Sequence, residues 1–386
     1  MECLPPWFRS ARLGILANQA SYTAGYVHVA DLVRAAGGCI HALFSPQHGY
    51  FGEKQANMCE SPDDWDGRLG VPVYSLYGAV REPTGAMLEE IDVLLVDLQD
   101  VGTRVYTYST TMGLCLEAAG RRGLKVVVLD RPNPLNGTAV EGNVLRESHR
   151  SFVGRYPLPM RHGLTMGELA RFIVRHCGVS CDLDVVPLEG WRRDDLFGDT
   201  RLPWFYPSPN MPSWETALLY AGMVLLEGCN LSEGRGTTLP FHLFGAPFLD
   251  QKQVGAFLKD VGLHGVVLRP VCFVPVFDKW KGEVCRGFQI HVTDPGRFRP
   301  YRLGLCVLRA MLEVHGREFR WLPPPYEYEW EKLPIDILLG DGAVRLGLEA
   351  GQSVEALEES WIWGLREYLE KREDGLLYSS GLPGIS

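Results

Sequence analysis

No uncharged apolar run in the middle of the chain outlasts Thr216–Leu226, well short of the roughly 20 residues needed to cross a bilayer. No extended run of Lys and Arg occurs, and 38 basic against 47 acidic side chains leave a formal charge of −9. Both features argue against a dedicated nucleic-acid binder. The opening residues Met1-Glu2-Cys3-Leu4-Pro5-Pro6 carry neither the basic segment, the apolar stretch nor the small-residue cleavage site of a secretory signal. Ten cysteines are scattered at positions 3, 39, 59, 115, 177, 181, 229, 272, 285 and 306, without the dense spacing of a disulfide framework. Cys115, Cys229 and Cys306 sit in apolar runs, where a reduced Cys packs as a small hydrophobe. A reducing, cytoplasmic setting is expected.

Chemical fingerprints are missing too. No G-x-G-x-x-G follows the first predicted strand and no Gly-Lys pair exists, so neither a dinucleotide site nor a P-loop is expected. There is no G-x-S-x-G elbow and no H-E-x-x-H. His176, Cys177 and Cys181 lack the second pair of ligands that a zinc site needs, so no metal is expected. Gly102, Gly234 and Gly236 read as ordinary turn glycines.

What is present is a packed globular composition: 386 residues, 46% hydrophobic and 22% charged, enough for two domains. Nearly continuous Val/Leu/Ile runs at Leu13–Leu16, Ile40–Phe44, Val71–Leu76, Asp92–Leu98 and Lys125–Leu129 read as strands buried on both faces. Helical patterns at Tyr26–Ala36 and Thr110–Arg121 fall between them. The alternation predicts an α/β, Rossmann-like, doubly wound parallel sheet. Thr165 with Glu168 forms a capping box that opens a helix running to His176, and a further helix is predicted over Glu215–Leu226. A boundary between Ala246 and Asp250 divides a Rossmann-like domain (1–247) from a smaller α/β or α+β domain (248–386), with strands at Val266–Val276 and Gly287–Val292 and helices at Pro300–Val314 and Val354–Lys371.

Ligands of open parallel sheets bind beyond the carboxyl ends of the strands. Polar side chains concentrate there: Asn18; Gln47, His48 and Glu53; Asp97, Asp100, Arg104 and Tyr106; Asp130, Arg131 and Asn133. Each has a plain structural alternative, such as a loop histidine bonding a carbonyl, a lone surface carboxylate, or an Asp capping a turn. Arg104 is expected to pair with Asp97 or Asp100 and keep it ionised. Tyr156, Trp191, Trp204, Phe205, Tyr206 and Trp214 suit a core, but aromatic faces beside carboxylates also hold sugar rings. In Ser232–Thr238, the Glu233 and Arg235 pair favours a binding role over a plain linker.

Six segments in order resemble the NamZ-like exo-β-N-acetylmuramidase family: Phe44-Ser45-Pro46-Gln47-His48-Gly49, Val96–Thr107, Leu129–Gly137, Arg161–Leu169, Pro207–Pro212 and Ser232–Thr237. The resemblance runs from about Gly14 to Phe248 and less distinctly beyond. It implies a Rossmann-like domain with a smaller C-terminal one closing a cleft, no nucleotide cofactor, and release of terminal N-acetylmuramic acid from peptidoglycan fragments. One position departs: Gln47 stands where many members carry Glu. Glycoside hydrolysis uses one protonated and one ionised carboxyl, so Glu53 is expected as general acid and Asp97 or Asp100 as its partner, with His48 and Arg104 tuning them. Gln47, Tyr106, Asn18, Asp130, Arg131, Asn133, Glu141, His162, Asn210, Glu233 and Arg235 are expected to hold the sugar. Substrate-assisted attack by the N-acetyl oxygen, which needs only one or two protein carboxyls, stays open, as do two alternatives of other classes. One is a non-catalytic muropeptide-binding protein, which Gln47 would suit. The other is a hydrolase or transferase acting on another acidic ligand through Arg81, Arg104, Arg131 and Arg235.

Overall fold

The computed structural model describes residues 4–55 and 58–380; Cys3 lies outside them. The described residues form one large sheet from β1 (Arg12–Leu16), β2 (Cys39–Ser45), β3 (Asp64–Asp66), β4 (Val71–Ser75), β5 (Val93–Val96), β6 (Lys125–Leu129) and β7 (Asp182–Val186), in the order β3-β4-β2-β1-β5-β6-β7. All neighbours run parallel except the β3–β4 pair. The expected doubly wound α/β sheet is therefore present. Alternation along β5 shows why its run is apolar throughout. Val93 and Leu95 pack toward α1 (Val29–Ala35), whereas Leu94 and Val96 join the larger core on the opposite face, as the period of two in a strand requires.

That larger face is covered by α3 (Tyr108–Arg121) and α4 (Met166–His176), with the short α2 (Gly85–Glu89) beside them. The Thr165 capping box is formed: its hydroxyl accepts from the Glu168 amide and the Glu168 carboxylate accepts from Thr165 N–H. The predicted helix over Tyr26–Ala36 starts later, at Val29, because Tyr26 adopts φ 60° in a turn and His28 caps the helix. β7 escaped the sequence reading because its edge position leaves alternate residues exposed, giving Asp-Leu-Asp-Val-Val instead of a solid apolar run.

The chain then enters α5 (Trp214–Met223), which tightens into a 3₁₀ segment over Val224–Gly228 in place of the predicted α-helix to Leu226. A second, antiparallel sheet has the order β8-β10-β9, from β8 (Leu243–Ala246), β9 (Val266–Phe273) and β10 (Cys285–Val292). β8 precedes the expected boundary at 247/248, yet its partner β10 lies beyond it. Of the helices that follow, α6 (Gln251–Asp260) packs on β10 and α7 (Pro300–Val314) on α5 and α6, while α8 (Pro334–Leu339) lies against the 3₁₀ segment, and α9 (Gly342–Glu349) and α10 (Val354–Glu373) lie against α7. No helix among the described residues is long and apolar enough to cross a membrane.

One hydrophobic cluster runs through both halves, from Leu16 and Phe44 in the large sheet to Leu305, Ile335 and Tyr368. Its seam is the crossing of α5 and α7, where Gly222 and Gly304 let two backbones touch. A Cβ on Gly222 would lie 1.8 Å from the Pro300 carbonyl oxygen. Gly222→Ala is expected to cost about 1–3 kcal/mol by forcing the helices apart, read as a lower denaturant midpoint.

Candidate active site

Beyond β2 the chain turns sharply. His48 takes φ 76° and Gly49 φ 83°, folding Gln47 and His48 inward. Their loop forms one wall of a cleft whose other walls are Tyr106 and Thr107 ahead of α3, Ser208 and Asn210, Tyr220 of α5, Glu227, Arg235 and the pair Tyr326–Glu327. Residues from both halves of the chain thus meet in one concavity.

Among the residues lining it is Glu327, 3% exposed. One carboxyl oxygen accepts from Gln47 Nε2 at 3.1 Å and the other from the Tyr77 hydroxyl at 2.7 Å. The Thr107 hydroxyl donates to Gln47 Oε1 at 2.7 Å, so the Gln47 amide is oriented and its NH₂ must face Glu327. Burial, reinforced by the charge of nearby Glu227, pushes the Glu327 carboxyl up to about 7 against these bonds. The backbone there is strained. Tyr326 and Glu329 exchange both main-chain hydrogen bonds across a two-residue turn whose central residues, Glu327 and Tyr328, have φ 45° and 67°. Such turns ordinarily take Asn or Gly, and each bulky residue there costs on the order of 1 kcal/mol.

Glu227 belongs to a buried chain of alternating charge. Its oxygens accept from Arg235 Nη2 at 2.6 Å and the Tyr326 hydroxyl at 2.7 Å. Arg235 also pairs with Glu233 at 3.2 Å, and Glu233 with Lys279 at 2.6 Å. His48 donates Nδ1–H to the Lys54 carbonyl at 2.7 Å. Burial and the Arg235 charge hold its imidazole down to about 4. It stays neutral at physiological pH, with Nε2 as an acceptor.

The other expected site residues separate into groups. Gln47, His48, Tyr106, Asn210 and Arg235 line the cleft, with Glu233 directly behind Arg235. Asp97, Asp130 and Arg131 line a second crevice, with Tyr22 and Phe205, at the ends of β1, β5 and β6. There both Asp97 oxygens are taken by the Arg131 guanidinium. Asp130 accepts from Thr165, Gly167 and Tyr378, yet burial pushes it up to about 6.

The remaining candidates are occupied within the fold. Asn18 donates to the Tyr108 hydroxyl and the Pro207 carbonyl, tying the 203–212 segment to the sheet. Asp100 accepts from Gly102 N–H at 2.6 Å and lies 3.4 Å from His162 Nε2. Asn133 bonds Leu135 N–H and the Leu164 carbonyl, and Glu141 pairs with Arg161 at 3.0 Å. Arg104 pairs with neither Asp97 nor Asp100, contrary to expectation. It is fully buried and donates to the carbonyls of Asn143, Leu158 and Leu338, and burial lowers it to about 10. Glu53 stands outside the cleft lining, its side chain 52% exposed and 3.7 Å from Lys54. Glu327 and Glu227 escaped the sequence reading, whereas Tyr77 follows the third predicted strand. The signals for those glutamates were the aromatic–acid alternation Tyr326-Glu327-Tyr328-Glu329-Trp330-Glu331 and the lone charge that ends the apolar run at Leu226.

Residues 13–215 match the N-terminal profile, and 218–378 the C-terminal profile, of the exo-β-N-acetylmuramidase NamZ. The chain belongs to the NamZ family. A Bacillus subtilis (strain 168) protein, peptidoglycan β-N-acetylmuramidase NamZ, is 40% identical over 371 residues, covering 96% of this chain and 87% of that one. Two Bacteroides fragilis NCTC 9343 crystal structures, described as DUF1343 family proteins, share the fold. One has TM-score 0.87 at 29% identity over 96% of this chain and 95% of that one; the other has 0.76 at 27% over 97% and 96%. Both NamZ profiles contribute to the cleft, with Gln47 from the first and Glu227, Arg235 and Glu327 from the second.

The Asp97–Arg131 pair gives a direct check on the two crevices. Asp97→Asn strands a largely buried guanidinium and is expected to cost about 3 kcal/mol in chemical denaturation, while kcat of the folded enzyme changes little. A collapse of kcat at unchanged stability would instead put Asp97 on the substrate.

Proposed function

We propose that this NamZ-family chain is a glycoside hydrolase that releases terminal N-acetylmuramic acid from peptidoglycan fragments, and that Glu327 is its proton donor. The observation that carries the reading is a buried carboxyl in the cleft lining, with each oxygen accepting one hydrogen bond, which burial pushes up to about 7. A general acid works best with a pKa near the working pH. Both Glu327 oxygens already accept hydrogen bonds, so the acid proton of the neutral form is left for a glycosidic oxygen. Protonation of that oxygen accompanies cleavage of the C1–O bond, after which water forms the new bond to C1 and its proton returns to the Glu327 carboxylate. The anionic Glu227, braced by Arg235 and Tyr326, then offsets positive charge developing at the anomeric carbon. Neutral His48 and Tyr106 offer hydrogen bonds to sugar hydroxyls and the N-acetyl group, beside Asn210, whose amide is bonded to Gln55. The unpaired thiols among the described cysteines support a reducing compartment, in which the enzyme would act on imported fragments during wall recycling.

Hydrolysis of a chromogenic β-N-acetylmuraminide tests this. Glu327→Gln is expected to lower kcat/KM by roughly 10²–10⁴-fold, and Glu53→Gln by far less. Substrate binding without turnover in the wild type would make the chain a muropeptide-binding protein instead, and loss of activity in Glu53→Gln alone would return the acid to that residue.

The pH profile has a definite sign. The raised Glu327 carboxyl is active when protonated, so kcat/KM is expected to fall tenfold per pH unit above about 7. By linkage, the same group's contribution to stability is fully present below its unfolded pKa and is lost as pH rises through about 7. Gln47→Glu sets a second carboxyl against Glu327, so the alkaline limb is expected to move upward as the pair shares a proton.

A further inference from the structure

Arg81 is held differently from the other arginines near the strand ends. Arg104 is spent on three buried carbonyls, Arg131 on Asp97, and Arg235 on Glu227 and Glu233. The carboxylate partner of Arg81 is Glu60, at 2.9 Å, whose side chain is 55% exposed, and the Arg81 side chain itself keeps 21% of its surface open. Its other bonds, from Nη1, go to the Gly78 and Val80 carbonyls. The guanidinium carbon lies 3.8 Å over the Tyr328 ring and 4.7 Å over that of Tyr77.

Those two rings tie Arg81 to the proton donor. Tyr77 carries the cation on its face and holds Glu327 with its hydroxyl. Tyr328 is the next residue in the strained turn that aims Glu327 inward, and its hydroxyl donates to Glu60 at 3.1 Å. The two rings thus link the guanidinium to the turn that carries Glu327, from just outside the residues that line the cleft. Glu60 is a carboxylate at the surface, and an exposed ion pair is weak enough to be exchanged.

We infer that Arg81 determines specificity by taking the substrate's carboxylate, the lactyl group that separates N-acetylmuramic acid from N-acetylglucosamine, in place of Glu60. This rests on the muramidase reading. It assigns Glu60 an occupant's role: an internal carboxylate that keeps the guanidinium paired and oriented, and yields it to a ligand offering the same charge with further contacts at Glu327.

The test compares a chromogenic β-N-acetylmuraminide with its lactyl carboxamide, which has the same shape without the charge. Wild type is expected to favour the acid by roughly ten- to a hundredfold in kcat/KM, the scale of a charge-assisted hydrogen bond. Arg81→Met should bring that ratio close to one, mainly through KM, and Arg81→Lys should restore part of it. Glu60→Gln should raise the ratio, because the cation is no longer shared. A ratio unchanged in Arg81→Met overturns the inference, as does a ratio that falls in both Arg81→Met and Glu60→Gln, the outcome expected of a merely structural ion pair. If the wild type hydrolyses neither compound, the glycosidase reading fails. Calorimetric titration with N-acetylmuramic acid and its amide then decides: a preference for the acid that Arg81→Met removes supports the assignment, and one it leaves intact overturns it.

Discussion

The structure turns on one buried carboxyl. Glu327 is desolvated by both halves of the chain, bonded by Gln47 and Tyr77 from the large sheet's loops, and carried on a two-residue turn from the C-terminal half. Burial favours its neutral form, while the two donors favour its anion. A group balanced between those influences near neutrality is what acid catalysis in water at physiological pH requires. The cost is visible around it: two residues in left-handed backbone, an oriented glutamine, and a tyrosine hydroxyl withdrawn from solvent.

Gln47 acquires a meaning from this balance. An amide can give a hydrogen bond to Glu327 and take one from Thr107 at the same time, which a carboxylate at this position cannot do. With an amide here the neighbour of Glu327 is neutral, and the other carboxylate of the cleft, Glu227, is held by Arg235 and Tyr326. Expecting the lost carboxyl at Glu53, a few residues along the same loop, assumed that nearness in sequence means nearness in the cleft. The partner of Gln47 came from 280 positions away.

The fold was largely legible, because strands buried on both faces write themselves as solid apolar runs and α4 announces itself by its capping box. β7 and β8 were not: one is a half-exposed edge and the other a four-residue strand whose partner comes later in the chain. The lining of the candidate cleft was legible only where it follows strand ends, as at Gln47, His48 and Tyr106. The same rule also gathered Asn18, Asp100, Asn133 and Arg104, whose polar groups are consumed in holding loops to the sheet. What separates the two sets is where their hydrogen bonds go, and that depends on contacts among segments distant in sequence. Glu327 and Glu227 lie on no strand end, and only their burial marks them.

The family profiles meet between residues 215 and 218, at the start of α5, yet the hydrophobic cluster does not divide there. α5 is pressed against α7 by paired glycines, with no layer of side chains between the backbones to shear or swing. The halves recognisable as inherited units therefore share one continuous core, and at Gly222 and Gly304 neither half can change its packing surface without the other giving way.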